Sequence, residues 1–122
     1  MTQILEYSPG QKVTLFLDTK NSDGYYTDGY YGDGYIIDGY ESPVLHRMIN
    51  PDFSLNDTYP QPMTKFDTGL YYIEFTLPSG AAAVGSYFID LAYRDPDTDL
   101  LKFQSYNIIV NAPFGLYSVT SF

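Results

Sequence analysis

The chain has no cysteine and no tryptophan, and it sets only six Lys or Arg against fifteen Asp or Glu. Without cysteine there is no disulfide scaffold, no thiolate zinc site and no thiol nucleophile, although the compartment stays open. The shortage of bases leaves a net charge of −9. That charge repels phosphate backbones and anionic bilayers, so neither nucleic acid nor a membrane surface is an expected partner. Long apolar runs are missing too. No window approaches the roughly 18–20 apolar residues of a membrane-spanning helix. Met1–Gly10 lacks the basic start and apolar centre of a secretory leader. Taken as a natural start, Met1 points to synthesis and assembly in the cytosol. Helical periodicity is also absent: the Ala81-Ala82-Ala83 run is the one helix candidate, and Gly80 and Gly85 box it in.

What the sequence has in abundance is tyrosine, fourteen of them, with eight phenylalanines. Tyrosine packs a ring and keeps a polar tip for water or a partner, which suits a β-rich protein with a contact surface. At 122 residues the chain is one domain, with a core that buries roughly two-thirds of its surface.

Strand patterns are clearest between Phe66 and Arg94. Tyr71, Ile73, Phe75 and Leu77 share one parity, with Tyr72, Glu74 and Thr76 on the other. Then Tyr87, Ile89, Leu91 and Tyr93 alternate with Ser86, Asp90 and Arg94. A period of two buries one face of each strand and wets the other. Lys12 to Asp18 repeats the pattern with Val13, Leu15 and Leu17. Phe16 breaks the polarity of its other face, which predicts that something covers it. Val44, His46 and Met48 alternate with Leu45, Arg47 and Ile49, with neither face marked as inward. Met63 to Phe66 reads as a short strand, and Asn56 to Pro62 as a loop. Leu101 to Asn111 closes the set with Tyr106, Ile108 and Val110 inward. Leu101 and Phe103 have the opposite parity, which predicts a bulge near Gln104 or Ser105. Six or seven short strands with Gly, Pro and Asp turns describe an all-β antiparallel sandwich.

One segment stands apart. Asp-Gly-Tyr recurs at Asp23, Asp28, Asp33 and Asp38, with the tyrosines at Tyr25, Tyr30, Tyr35 and Tyr40. Asp-Gly is a strong turn signal because glycine supplies positive φ. The period is too short for ordinary hairpins, whose strands alone run about five residues, and far below the ~20-residue repeats of solenoids. The reading is an irregular arm or long loop over residues 23–40. Either it is a solvated low-complexity loop, or its tyrosines Tyr25, Tyr26, Tyr30, Tyr31, Tyr35 and Tyr40 are partner contacts, docking at low entropy cost. The tail, residues 112–122, is apolar and aromatic with no partner strand in view. Phe114, Tyr117 and Phe122 complete the set of candidate partner-binding residues.

Catalytic constellations are wanting. His46 is the lone histidine, with no Gly-x-Ser-x-Gly elbow to support a triad, and it reads as a half-buried strand residue. The acids lie mostly in turns, where nothing drives the pKa values of a carboxylate pair apart, so glycoside hydrolysis is set aside. The glycines between Gly24 and Gly39 do not cradle phosphate, because acids surround them and no helix follows. Asp95, Asp97 and Asp99 have the first three spacings of an EF-hand. Its sixth and twelfth positions are here Leu100 and Tyr106, so that motif is absent. A calcium site in a sandwich loop is the alternative to plain turn residues, and no other cofactor is expected.

The order of signals "SPGQKVTLFL", "TKFDTGLYYIEFTLP", "GSYFIDLAYRD" and "YNIIVNA" resembles immunoglobulin-like and macroglobulin-like domains, over roughly residues 8–20 and 62–112. Such domains occur in bacterial surface proteins and in bacteriophage virion proteins. The resemblance implies an immunoglobulin-like antiparallel sandwich of about seven strands with a Tyr-rich arm. It also implies a non-enzymatic structural role, such as a capsid decoration or tail/neck protein of a virion assembled in the host cytoplasm. Its partners would be other virion or structural proteins, within an oligomeric assembly. The Asp-Gly-Tyr run and the aromatic tail depart from the usual module and resemble the extensions by which phage structural proteins lace onto neighbours. A glycan-binding or adhesion module is the alternative.

Overall fold

The alternation between Phe66 and Arg94 resolves into two strands that face each other across the core. The computed structural model describes residues 2–20, 23–32, 34, 36–37, 40–95 and 97–111. Ten strands lie among them: β1 (Thr2–Tyr7), β2 (Lys12–Asp18), β3 (Ile36–Ile37), β4 (Tyr40–Glu41), β5 (Val44–Ile49), β6 (Gln61–Pro62), β7 (Thr64–Asp67), β8 (Leu70–Thr76), β9 (Gly85–Arg94) and β10 (Leu101–Val110). Ala81–Ala83 forms one 3-10 turn, and no α-helix occurs among the described residues.

The strands form a five-stranded sheet in the order β1-β10-β9-β5-β6, a three-stranded sheet in the order β2-β8-β7, and a separate β3-β4 ribbon. The β1–β10 pair is parallel, and the other pairs are antiparallel. The two larger sheets face each other across a single core, as in a β-sandwich. Val13, Leu15 and Leu17 of β2 and Tyr71 of β8 meet Leu45 and Met48 of β5, Tyr87, Ile89 and Leu91 of β9, and Tyr106, Ile108 and Val110 of β10. Burying a Leu or Ile side chain is worth about 1.5–3 kcal/mol, so these rows dominate the fold. Four of the expected strands (β2, β8, β9 and, from Tyr106 to Val110, β10) thus point inward with the parity read from the sequence.

Three features differ from the expectations. The N-terminal strand β1 was not expected. It packs Leu5 and Tyr7 against the core and is held by its ladder to β10. The bulge expected near Gln104 or Ser105 is absent, since β10 pairs with β9 in unbroken register from Leu101 to Val110. Leu101 and Phe103 simply stay on the outer face, and Phe103 sets its ring against His46, at 5.7 Å between centroids. The bulge lies in β5 instead, between Leu45 and Arg47. One extra residue there lets Leu45 and Met48, three apart in sequence, both point inward. That irregularity is why simple alternation showed no inward face for this strand.

The corner between β8 and β9 is tightly made. Gly85 has φ +134°, and a Cβ added there would sit 2.8 Å from Pro51 Cβ; both conditions call for glycine. Just beyond it, the buried Tyr87 hydroxyl donates to Ala83 O at 3.1 Å. This bond reaches back across the corner and ties the start of β9 to the 3-10 turn.

These contacts rank substitutions by urea unfolding. Leu15→Ala empties a buried site on β2 and should cost about 2–5 kcal/mol. Thr14→Ala, one residue away on the outer face, should change stability by less than about 0.5 kcal/mol. Tyr87→Phe keeps the ring and loses the corner bond, for a cost of about 1 kcal/mol. Equal costs at Leu15 and Thr14 would contradict the sandwich.

Candidate protein-interaction face

The outer face of the three-stranded sheet carries rings where the sheet's polarity would lead one to expect charge. Register places Phe16 of β2 opposite Tyr72 of β8, and Thr64 of β7 on the far side of Tyr72. A bulge between Lys65 and Asp67 then re-aims Phe66 on this edge strand. The three rings meet: Phe16 to Tyr72 at 6.1 Å, Phe16 to Phe66 at 6.4 Å edge-on, and Phe66 to Tyr72 at 6.3 Å. These are favourable edge and tilted geometries. Even so, Phe16 remains 46% exposed and Phe66 66% exposed. The cover expected for Phe16 is supplied only in part, by its two aromatic neighbours. On this face lies also the Lys12–Glu74 ion pair, at 2.7 Å.

The five-stranded sheet differs at the middle of its outer face. There Arg47 bonds Asp90 through Nε and Nη2 at 3.1 and 2.6 Å, and Ser105 Oγ donates to the other Asp90 oxygen at 2.7 Å. Phe88 and Ile4 are exposed in the row next to it, on either side of Asn107.

The described part of the Asp-Gly-Tyr segment is tied to the chain rather than hanging free. Thr19 donates its N–H to Gly69 O at 2.7 Å and accepts from Thr27 N–H at 3.2 Å. Asp28 accepts from Gly69 N–H at 2.9 Å and from Lys65 Nζ at 2.6 Å. Burial alone would raise the Asp28 pKa, but the Lys65 and Gly69 bonds together hold it below the usual carboxylate range. Tyr71 OH donates to Gly29 O at 3.3 Å; burial foremost, then the Asp28 charge, pushes that phenol up to about 12. Gly29 itself is buried, and a Cβ there would lie 2.8 Å from Thr19 Cγ2. Next along, Tyr30 O accepts from Arg94 N–H and Tyr31 O from Arg94 Nε. Residues 27–31 therefore run as a strap from the β8 side of the molecule to the end of β9.

The candidate tyrosines divide accordingly. Tyr25 and Tyr26 are exposed, at 71% and 53%, with the Lys20 ammonium over the Tyr26 ring at 4.9 Å. Tyr30 and Tyr31 are half-buried against their own chain. Tyr30 OH donates to Asp99, and Tyr31 OH lies 3.3 Å from His46 Nδ1. Tyr35 lies outside the described residues, as do Phe114, Tyr117 and Phe122; Tyr40 is described only as backbone in β4. Phe66 and Tyr72 were missed as contact residues because each was read only within its own strand. The signal available was Phe16, an apolar residue on a polar parity.

Asp95 is 2% exposed and fully engaged. It accepts from Lys102 Nζ at 2.9 Å, from Asp97 N–H at 2.8 Å and from Thr98 N–H at 3.3 Å. Asp99 accepts from Tyr30. The Asp95 carboxylate thus shapes the turn and Asp99 ties it to the strap, and no cluster suited to a metal occurs among the described residues. His46, at the β5 bulge, touches only Tyr31 and Phe103 among the ring contacts described.

A cleft of about 840 Å³ opens beside the strap. Asp28, Glu41, Asp67, Tyr30 and Phe66 line it, as does Ser42, whose buried hydroxyl has no hydrogen-bond partner.

Compared with known proteins, the chain matches no family model, no curated protein and no solved structure. No helix among the described residues is long and apolar enough to cross a membrane.

The Asp95 contacts fix a pH dependence. Lys102, then the Asp97 and Thr98 amides, hold its carboxyl below the ordinary 3.8. A carboxyl lowered in the folded state contributes stability that is complete above its unfolded value and lost as pH falls through the folded one. Urea midpoints should hold steady down to about pH 4 and then drop. Asp95→Asn should start lower at neutral pH and fall less on acidification. A variant curve parallel to the parent's would remove Asp95 as a source of the acid loss.

Proposed function

We propose that this chain is an immunoglobulin-like module with a structural, non-enzymatic role in a larger protein assembly, of the kind found in bacteriophage virions. The immunoglobulin-like reading is supported by strand order. A β1-β10-β9-β5-β6 sheet opposite a β2-β8-β7 sheet corresponds to a GFC-type sheet facing a BED-type sheet. The Tyr87–Ala83 bond at the β8–β9 corner supports it further, since such sandwiches carry a tyrosine corner at the start of the equivalent strand.

The observation that carries the functional reading is the Phe16–Phe66–Tyr72 cluster. Three touching rings left open to water on a sheet face are the usual mark of a surface meant for a partner. The charge distribution says what that partner is like. Lys12, Arg47, Lys65 and Lys102 are held in ion pairs, and Arg94 is spent on backbone carbonyls and the strap. The excess of nine negative charges is what remains once every base is counted. It steers the module toward a surface with a basic rim.

Purified from its source under native conditions, the chain should be recovered as a fixed-stoichiometry component of a large particle. Phe66→Ser should leave urea stability within about 0.5 kcal/mol while lowering incorporation about tenfold or more. Added salt should weaken incorporation of the parent chain. Recovery only as a free monomer, or full incorporation of Phe66→Ser together with Phe16→Ser, would overturn the reading.

The cleft favours a second reading, a glycan-binding module. Carboxylates of Asp28, Glu41 and Asp67 beside the rings of Tyr30 and Phe66 suit sugar hydroxyls and a sugar face. A glycan array that lights up with the parent chain and dims with Glu41→Gln would move the choice to this reading; a blank array would remove it.

A further inference from the structure

A second feature of the three-stranded sheet points beyond the aromatic cluster. Strand β2 lies at the edge, paired only with β8. Its seven residues pair with β8 in unbroken register from Lys12 to Asp18, with no proline and no bulge. Natural sheets usually blunt such an edge with one or other of these devices. The edge at the other end of the same sheet, β7, is short and bulged.

The hydrogen bonds fix which groups face the open side. Leu77 N–H donates to Gln11 O at 2.9 Å and Thr19 N–H to Gly69 O at 2.7 Å, so the odd-numbered residues of β2 serve the β8 ladder. By antiparallel alternation, Thr14 and Phe16 direct both N–H and C=O to the open edge. Phe16 O shows the direction, since Tyr106 OH reaches it at 2.9 Å and Gln104 Nε2 at 3.5 Å. The long Gln104 bond is the weaker of the two and the one that an added strand's N–H displaces.

Along this edge runs a groove of about 460 Å³ between β2 and β1, which is the edge of the opposite sheet. Leu5, Tyr7, Leu15 and Tyr106 give it an apolar floor, and Gln3, Thr14 and Asp18 line its rim. The groove and the edge together have the form of a missing strand.

We infer that β2 accepts an added β-strand, supplied by the C-terminal segment 112–122 of a second copy of this chain. That segment, Ala-Pro-Phe-Gly-Leu-Tyr-Ser-Val-Thr-Ser-Phe, contains no charged side chain, so it enters the groove without desolvating a charged side chain of its own. Beyond Gly115 it is rich in strand-favouring Tyr, Val, Thr and Phe. Seven residues of edge need about 23 Å of extended chain at about 3.3 Å per residue, which residues 116–122 supply. Backbone bonds then give affinity and alternate side chains the register, as in strand addition generally. On the outer face, the added strand lies beside Phe16 and extends the aromatic surface.

A second copy is the source because of where β10 ends. Asn111 N–H donates to Tyr7 O at 3.0 Å, so the chain leaves the described residues on the β10 side of β1. Strand β1 and the turn at Ser8–Gln11 stand between that point and the β2 edge. This inference rests on the assembly reading above and adds the contact that joins the copies.

The test compares the full chain with a chain ending at Asn111, which keeps every core residue among those described. By sedimentation, the full chain should self-associate and the shortened chain should not. In the associated form, the Thr14 and Phe16 amides should exchange at least about tenfold more slowly than in the shortened chain. A synthetic 112–122 peptide added to the shortened chain should restore that protection. Thr14→Pro in the full chain, at an edge position that proline tolerates, should weaken self-association about tenfold or more. Five outcomes overturn the inference. They are the same oligomeric state for the two chains, protection of Thr14 in a monomer (the chain's own tail), protection only by a different protein, unchanged association of Thr14→Pro, and formation of the source particle with the tail deleted. In the last case the assembly reading stands and this one falls.

Discussion

Everything in this molecule depends on two inward rows set against each other: Tyr71, Ile73, Phe75 and Leu77 from one sheet, and Tyr87, Ile89 and Leu91 from the other. The two strands that bear them are consecutive, yet they belong to opposite sheets. The chain must therefore cross from one wall to the other within a few residues. Gly80, the 3-10 turn, Gly85 and the Tyr87 hydroxyl accomplish this crossing. Once it is fixed, β2 and β7 flank β8, β10 and β5 flank β9, and β1 and β6 add to the far sides of β10 and β5. The remaining sheet order follows from those two central strands.

The same logic explains how function collects on the outside. Inward positions are committed to the core, so freedom lies with the outward parity and with the irregularities. Each of the two bulges does something specific. In β5 it realigns Met48 with the core and leaves His46 on the outside, against Tyr31 and Phe103. In β7 it places Phe66 beside Phe16 and Tyr72. The polar row of Arg47, Asp90 and Ser105 on one sheet and the rings on the other make the two outer faces chemically distinct. A partner can tell them apart.

Strand alternation made β2, β8, β9 and the Tyr106–Val110 half of β10 legible from sequence alone, with the right residues inward. What stayed hidden depends on registers between strands. A bulge adds one residue to one strand, and nothing in that strand says whether its neighbour will follow. Leu101 and Phe103 suggested a parity switch in β10. Their ladder to β9 shows instead that a chain accepts two outward apolar residues when a ring such as His46 covers part of one. Strand β1 was missed because its inward pair, Leu5 and Tyr7, is too short a pattern to stand out without knowing that β10 offers it an edge. The aromatic face was half legible. Phe16 announced itself, but Tyr72 and Phe66 joined it only through pairing across three strands.

The Asp-Gly-Tyr triplets look interchangeable on paper, and the molecule treats them unequally. At Gly29 the backbone passes so close to Thr19 that not even a methyl group fits, and the neighbouring Asp28 grips both Lys65 and the Gly69 amide. The second triplet is thus a fixed anchor, whereas Gly24 and Gly34 face open space. Beyond the anchor, Tyr31 N–H meets Ser42 O at 3.1 Å, so residues 32–41 leave the sandwich and return to it through one pinched neck. The place where this excursion departs is set by a single hydrogen atom in place of a side chain.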